Sequence, residues 1–141
     1  MKKICSYIAL CFLLSCGTGA HKGDIKPLFE VLSEQSDGGA RIRFFEFLTE
    51  TREIKMLQND PKLRQKIKPD DLTKSSFVVL NMGEKETTGY RIGVDGVRET
   101  QDSIVITTKD FSPSTQLIPE KDIYYTPYTV LKINSKKPIR F

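Results

Sequence analysis

Apolar positions in this chain fall into short β-like runs separated by polar turns, with helical spacing between residues 49 and 69. Leu28–Ser33 and Ala40–Leu48 are β-rich and flank Gln35-Ser36-Asp37-Gly38-Gly39. Asp-Gly-Gly offers positive-φ positions, so a hairpin is expected there. Ile42 and Phe44 should share one face, and Arg41, Arg43 and Phe45 the other. Thr49–Gln58 reads as a short helix, with Thr49 as N-cap and Glu50 at its positive end. Asp60-Pro61 signals a second start, with Leu63 and Ile67 four residues apart and Pro69 as the stop. The charges between them read as a solvated helix face.

Further along, Phe77–Met82 opens with a continuous apolar run, the pattern of a central strand. Thr87–Val94 alternates, with Tyr90, Ile92 and Val94 on one side, and Asp95-Gly96 is positioned to turn the chain. Ser103–Thr108 and Tyr128–Ile133 are two more strands. The tail after Ile133, with Lys136, Lys137 and Arg140, reads as loose. About six strands and one or two short helices follow. Their short connections favour antiparallel pairing. The expected fold is therefore mainly β (α+β): a small antiparallel sheet or sandwich. The Lys109–Pro127 connection exceeds the usual length of about 12–15 residues for a structureless loop. It holds Phe111, Tyr124 and Tyr125, which suit either protein recognition or closure of one end of the core.

The N-terminus has a different pattern. Lys2 and Lys3 precede Ile4–Leu14, a mostly apolar run too short for a membrane span of roughly 20 residues. It fits a signal-peptide core. Leu13-Leu14-Ser15-Cys16-Gly17 resembles the lipobox of bacterial lipoproteins, which implies that Cys16 becomes the lipidated first residue of the mature chain, palmitate included. Several acyl chains at about 0.8 kcal/mol per buried CH₂ hold a protein on a membrane without spanning it. The expected organisation is a signal peptide (1–15), a lipidated Cys and flexible tether (16–26), one β-rich domain (27–134) and a basic tail (135–141). The expected localisation is the cell envelope, periplasmic or surface-exposed.

That reading changes the charge and the chemistry. The full chain of 141 residues carries a formal net charge of +4; losing Lys2 and Lys3 with the signal leaves +2. So balanced a body lacks the basic stripe of a nucleic-acid binder. Cys5 and Cys11 leave with the signal, and the single histidine, His21, lies in the tether. The body then has no thiol and no imidazole, so Ser-His-Asp, Cys-His and His-zinc sites are unavailable. There is no phosphate-cradling Gly-rich loop. The adjacent Asp70 and Asp71 read as turn residues. The expectation is a non-enzyme with no cofactor, no metal and no evident small-molecule substrate.

The stretch Phe77-Val-Val-Leu-Asn-Met-Gly-Glu-Lys-Glu-Thr-Thr-Gly-Tyr90, with the closing Thr126-Pro-Tyr-Thr-Val-Leu-Lys-Ile133, resembles the PrcB-like family. The resemblance extends over most of Phe29–Ile133, and Thr88 stands where that family more often has glycine. It implies a non-catalytic accessory subunit that binds another envelope protein, with a protease as one candidate. The expected contact edge is Thr87, Thr88, Gly89 and Tyr90 with Tyr125, Pro127 and Tyr128, at one end of the sheet. Thr87–Tyr90 and Pro127-Tyr128 are also similar to the loops of chagasin-like inhibitors, which implies a wedge blocking a papain-type cysteine protease. Lys85-Glu86 replaces the Asn-Pro of that family, and its Gly-x-Gly-Gly loop is absent between Ser103 and Pro127.

Overall fold

The computed structural model describes residues 26–141. The signal peptide, Cys16 and all but the last residue of the tether lie outside them. Seven strands and three short helices build three layers. A four-stranded sheet contains β1 (Phe29–Gln35), β2 (Phe44–Leu48), β3 (Ser76–Asn81) and β6 (Tyr128–Ile133), in the order β1-β6-β3-β2. All its pairings are antiparallel. A second sheet has the order β4-β5-β7, from β4 (Arg91–Glu99), β5 (Ile104–Phe111) and β7 (Ile139–Arg140). The helices α1 (Thr51–Leu57), α2 (Pro61–Arg64) and α3 (Asp71–Lys74) form the third layer. The mainly β expectation holds.

The central strands β3 and β6 are apolar on both faces because both faces are covered. Val78, Leu80, Leu131 and Ile133 pack toward the second sheet with Ile92, Ile104 and Ile106. Phe77 and Val130 pack the other way, with Leu48 of β2 and with Ile54, Leu63 and Ile67 of the helical layer. Each such side chain fully removed from water contributes about 1.5–3 kcal/mol. The expected central strand is thus central, and the i, i+4 pair Leu63 and Ile67 is buried on the helix side.

Four local expectations are corrected. The runs around Asp37-Gly38-Gly39 do not form a hairpin: β1 and β2 are opposite edges of the same sheet. Residues 36–43 cross the ends of β6 and β3 to connect them. Asp37 Oδ1 accepts from the Thr126 backbone at 2.9 Å and from its hydroxyl at 2.8 Å. Gly39 donates to the Thr126 carbonyl at 2.9 Å, and the Asn81 amide bonds both sides of Ala40 at 2.9 and 2.8 Å. Two apolar-faced central strands bury more than a direct β1–β2 ribbon could, so long-range pairing overrides the turn signal. Ile42, left on this crossing, is 72 % exposed.

Asp95-Gly96 does not turn the chain either. The β4–β5 register shifts between Val94 and Gly96, a bulge inside β4. It resets the side-chain alternation, so Ile92, Val94 and Val97 all reach the core between the sheets. The turn itself is Thr100–Ser103, where the Thr100 hydroxyl accepts from the Ser103 amide at 3.0 Å. Glu50, not Thr49, caps α1: its side chain takes the N3 amide while Glu53 returns the bond, a capping box. Finally, the tail is not loose. Ile139 and Arg140 pair in parallel with Ile104 and Val105. The ring of Phe141 lies 4.7 Å from that of Phe45 and 5.4 Å from that of Phe47.

Candidate functional site

Both segments of the expected edge lie at one end of the two sheets. The Met82 amide donates to the Pro127 carbonyl at 2.9 Å, and Lys85 and Tyr125 exchange a pair of backbone bonds at 2.8 Å. The Thr129 hydroxyl donates to the Ile92 carbonyl at 2.6 Å, tying the start of β6 to the start of β4. Gly83, at φ +81°, turns the chain out of β3, and its hydrogen faces the backbone of Arg41–Arg43. Gly89, at φ +87°, lets the chain enter β4, with Pro113 against it. A side chain at Gly89 would be strained by both the backbone and that proline.

Closeness along the backbone does not make one surface. Thr88 and Gly89 are exposed, Thr87, Tyr90, Tyr125 and Tyr128 are half-buried, and Pro127 is buried. Tyr90 packs on the core between the sheets, while Tyr128 packs on the core beneath the helices. The two rings are therefore on opposite faces of the four-stranded sheet. Strand alternation explains this: in β6, Thr129, Leu131 and Ile133 face the second sheet, so Tyr128 and Val130 face the helices. Lys85 Nζ sits 5.5 Å above the Tyr90 ring and holds its outer side.

The surface beside Thr87 and Thr88 is completed by residues outside the expected set. The connection between β5 and β6 folds across the 83–89 loop, and Leu117, Ile118, Ile123 and Tyr124 are exposed large apolar side chains along it. Ile118 is 90 % exposed. An open groove of about 160 Å³ is lined by Thr87, Thr88, Leu117, Ile118 and Tyr125. A larger one of about 530 Å³ lies between Lys85, Thr87, Tyr90 and Leu117. The signal for these residues was present in sequence: an adjacent Leu-Ile pair in a polar loop, bounded by Pro113 and Pro119, with no periodic apolar partner.

Charge around this edge is mixed. Arg41 pairs with Glu84 and reaches over the Tyr124 ring at 6.0 Å. Arg43 forms a two-pronged pair with Asp110 at 2.8 and 3.1 Å. The Arg91 guanidinium stacks 3.6 Å above the Phe111 ring. The Thr126 amide and hydroxyl, with the Gly38 amide, hold the Asp37 carboxyl below its ordinary range. Among the described residues no group of three or more His, Cys, Asp or Glu is placed to hold a metal. No described helix is long and apolar enough to cross a membrane.

Residues 76–134 match the family described as PrcB C-terminal. This segment is PrcB-like. It begins on the first residue of β3 and ends one residue beyond β6. It thus contains both central strands of one sheet, the β4–β5 ribbon and every residue of the expected edge. The PrcB-like match stops short of β1, β2 and the helices, which the sequence resemblance also covered. No curated protein and no solved structure matches the chain.

Proposed function

We propose that this chain is a lipid-anchored, non-catalytic subunit that binds an extracytoplasmic protein, a protease in the first instance. Cys16 carries the lipid, and the cell envelope is the site of action. The reading rests on the PrcB C-terminal match, which spans both segments of the edge. The exposed apolar side chains beside Thr87 and Thr88 support it, because clustered apolar side chains on a surface loop mark interaction sites. The working contact surface is Thr87, Thr88 and Gly89 with Tyr125, Leu117 and Ile118. Tyr90 and Pro127 act beneath it as supports.

The chagasin-like alternative needs Pro127 and Tyr128 beside the threonines at the tip of a wedge. Pro127 is buried and the Tyr128 ring faces the helices, so no observation favours that reading.

The test is capture of the tagged full chain from gently solubilised membranes. A stoichiometric protease that is lost on Ile118→Asp and on Thr88→Arg is expected. Both positions are exposed, so neither variant should unfold the domain. A protease retained by both variants would reject the edge, and capture of no protease would reject the accessory reading. Cys16→Ala should move the chain from the membrane fraction to the soluble one; continued membrane retention would reject lipid anchoring at Cys16.

A further inference from the structure

A slot opens between the four-stranded sheet and the helices, at the same end of the sheet as the loop edge but on its helix-side face. It measures about 340 Å³. Its walls are Phe44, Leu57, Leu63, Val79 and Val130, and the exposed Met56 stands at the rim. Gly38 and Gly39 form one lip. A Cβ on Gly39 would fall 2.2 Å from Asn81 Oδ1, so the chain passes there only as glycine.

Three polar side chains line this apolar slot, and the Asn81 amide is already engaged by Ala40 and Ile42, which leaves Asp60 and Tyr128. Asp60 is the single charged residue lining the slot. Its Oδ1 accepts from the Lys62 amide at 2.8 Å, capping α2, and among the described residues its carboxylate has no cationic partner. The Tyr128 hydroxyl makes no hydrogen bond among the described residues, although the ring is packed on the helix-side core. Burial first, and then the Asp60 charge, push the Tyr128 phenol above its ordinary pKa, so it stays protonated.

We propose that this slot receives a lysine side chain from a partner polypeptide, its methylenes along Leu57, Leu63 and Val79 and its ammonium between Asp60 and the Tyr128 hydroxyl. The chemistry selects the occupant. A purely apolar side chain would cover the Asp60 carboxylate and leave it unpaired, which is costly. An acidic one would meet like charge. Lysine combines a four-carbon apolar stem with a compact cation carrying three donors. The slot opens on the helix-side face, where none of Thr87, Thr88, Leu117 and Ile118 lines it, so it adds a second contact to the loop edge. It rests on the protein-binding reading only for the nature of its occupant.

The probe is Nα-acetyl-lysine methylamide, titrated into the ¹⁵N-labelled full chain in detergent, beside the norleucine and glutamate analogues. Saturable shifts at the amides of Gly38, Gly39 and Met56 are expected. The lysine midpoint should lie about tenfold below that of norleucine, as a bond to a charged group implies. Asp60→Asn keeps the helix cap, since Asn caps as well as Asp. It should bring the lysine midpoint up to that of norleucine. Val79→Trp, which fills the slot, should abolish the shifts for both. Equal midpoints in the parent chain, an undiminished lysine preference in Asp60→Asn, or shifts centred elsewhere would each overturn the proposal. Ile118→Asp should leave this titration unchanged, so its outcome is separate from that of protease capture.

Discussion

Lys132 is the penultimate residue of β6, at 5 % exposure, where the pattern on its face calls for an apolar residue. It survives there because two carboxylates meet it. Glu30 on the neighbouring β1 is 2.8 Å away, and Asp71, at the start of α3 and only 2 % exposed, is 3.6 Å away. Asp71 is therefore more than the turn residue it resembles: it also accepts from the Lys68 amide at 2.8 Å. Lys132→Met should cost about 3–5 kcal/mol, since it strands a buried carboxylate. Chemical denaturation measures this, and a loss below about 1 kcal/mol would show that the pair is not buried in solution. Glu30 gives the pH dependence. Its bonds from Lys132, then Asn134, hold its pKa below the ordinary 4.5. A carboxylate depressed in the folded state stabilises it above the unfolded pKa, and that stabilisation disappears as pH falls through the folded value. Glu30→Gln should then lower Tm at neutral pH, with the gap to the parent closing below about pH 4.5. A gap that widens in acid would contradict the assignment. Tyr90→Ala should cost about 1–2 kcal/mol, short of the loss for a fully buried aromatic, because the ring is half-buried.

At the scale of elements, the C-terminal eight residues behave as structure. Lys137 donates to the Thr100 carbonyl at 2.9 Å and pairs with Glu99 at 2.8 Å. Lys136 donates to the Thr49 carbonyl at 2.7 Å. Ile139 packs on the core between the sheets, and Phe141 fills the outer side of Phe45 and Phe47. Removing Pro138–Phe141 should therefore cost about 2–4 kcal/mol and expose the β5 edge and two phenylalanines. Thermal unfolding of the truncated chain measures the loss; an unchanged Tm would mean that β7 does not pair. The tail reads as loose in sequence, but the ammonium groups of Lys136 and Lys137 satisfy backbone carbonyls and one carboxylate that the fold brings to them. Glycine-rich crossing 36–43 shows the same dependence on context. Gly39→Ala should destabilise strongly, because its methyl would meet Asn81 and the Thr126 carbonyl, 2.8 Å away, at once.

In the whole molecule, the point where the described chain begins and the loop edge are at opposite ends. The Asn134 amide donates to the Leu28 carbonyl at 2.9 Å, and the Asn134 side chain reaches the Pro27 carbonyl at 2.6 Å, so residues 27–28 leave from the far end of β6. The Thr87–Gly89 loop and Ile118 stand beyond its near end. If Cys16 is lipidated as proposed, ten residues separate it from Pro27. They span at most about 35 Å. The tether then joins the domain at the end opposite the contact edge, which favours an outward-facing edge. A fluorophore at position 118 should escape a headgroup-bound quencher, while one at Lys74, beside Pro27 and Leu28, should be quenched. Equal quenching at both would reject this orientation.

What the linear pattern determined was the set of elements whose signal is local or strongly periodic: the apolar runs of β3 and β6, the Asp60-Pro61 helix start, the buried Leu63 and Ile67, and the PrcB-like segment carried by Phe77–Tyr90 and Thr126–Ile133. Burial on both faces leaves an apolar run wherever it occurs, and a proline or a cap acts within one turn. Tertiary structure alone decided which strands pair, that Asp95-Gly96 bulges rather than turns, that the tail becomes β7, and that Tyr90 and Tyr128 look away from each other. Each of these depends on contacts between residues more than ten positions apart. A two-residue period states that neighbours alternate, but not which face of the sheet each meets.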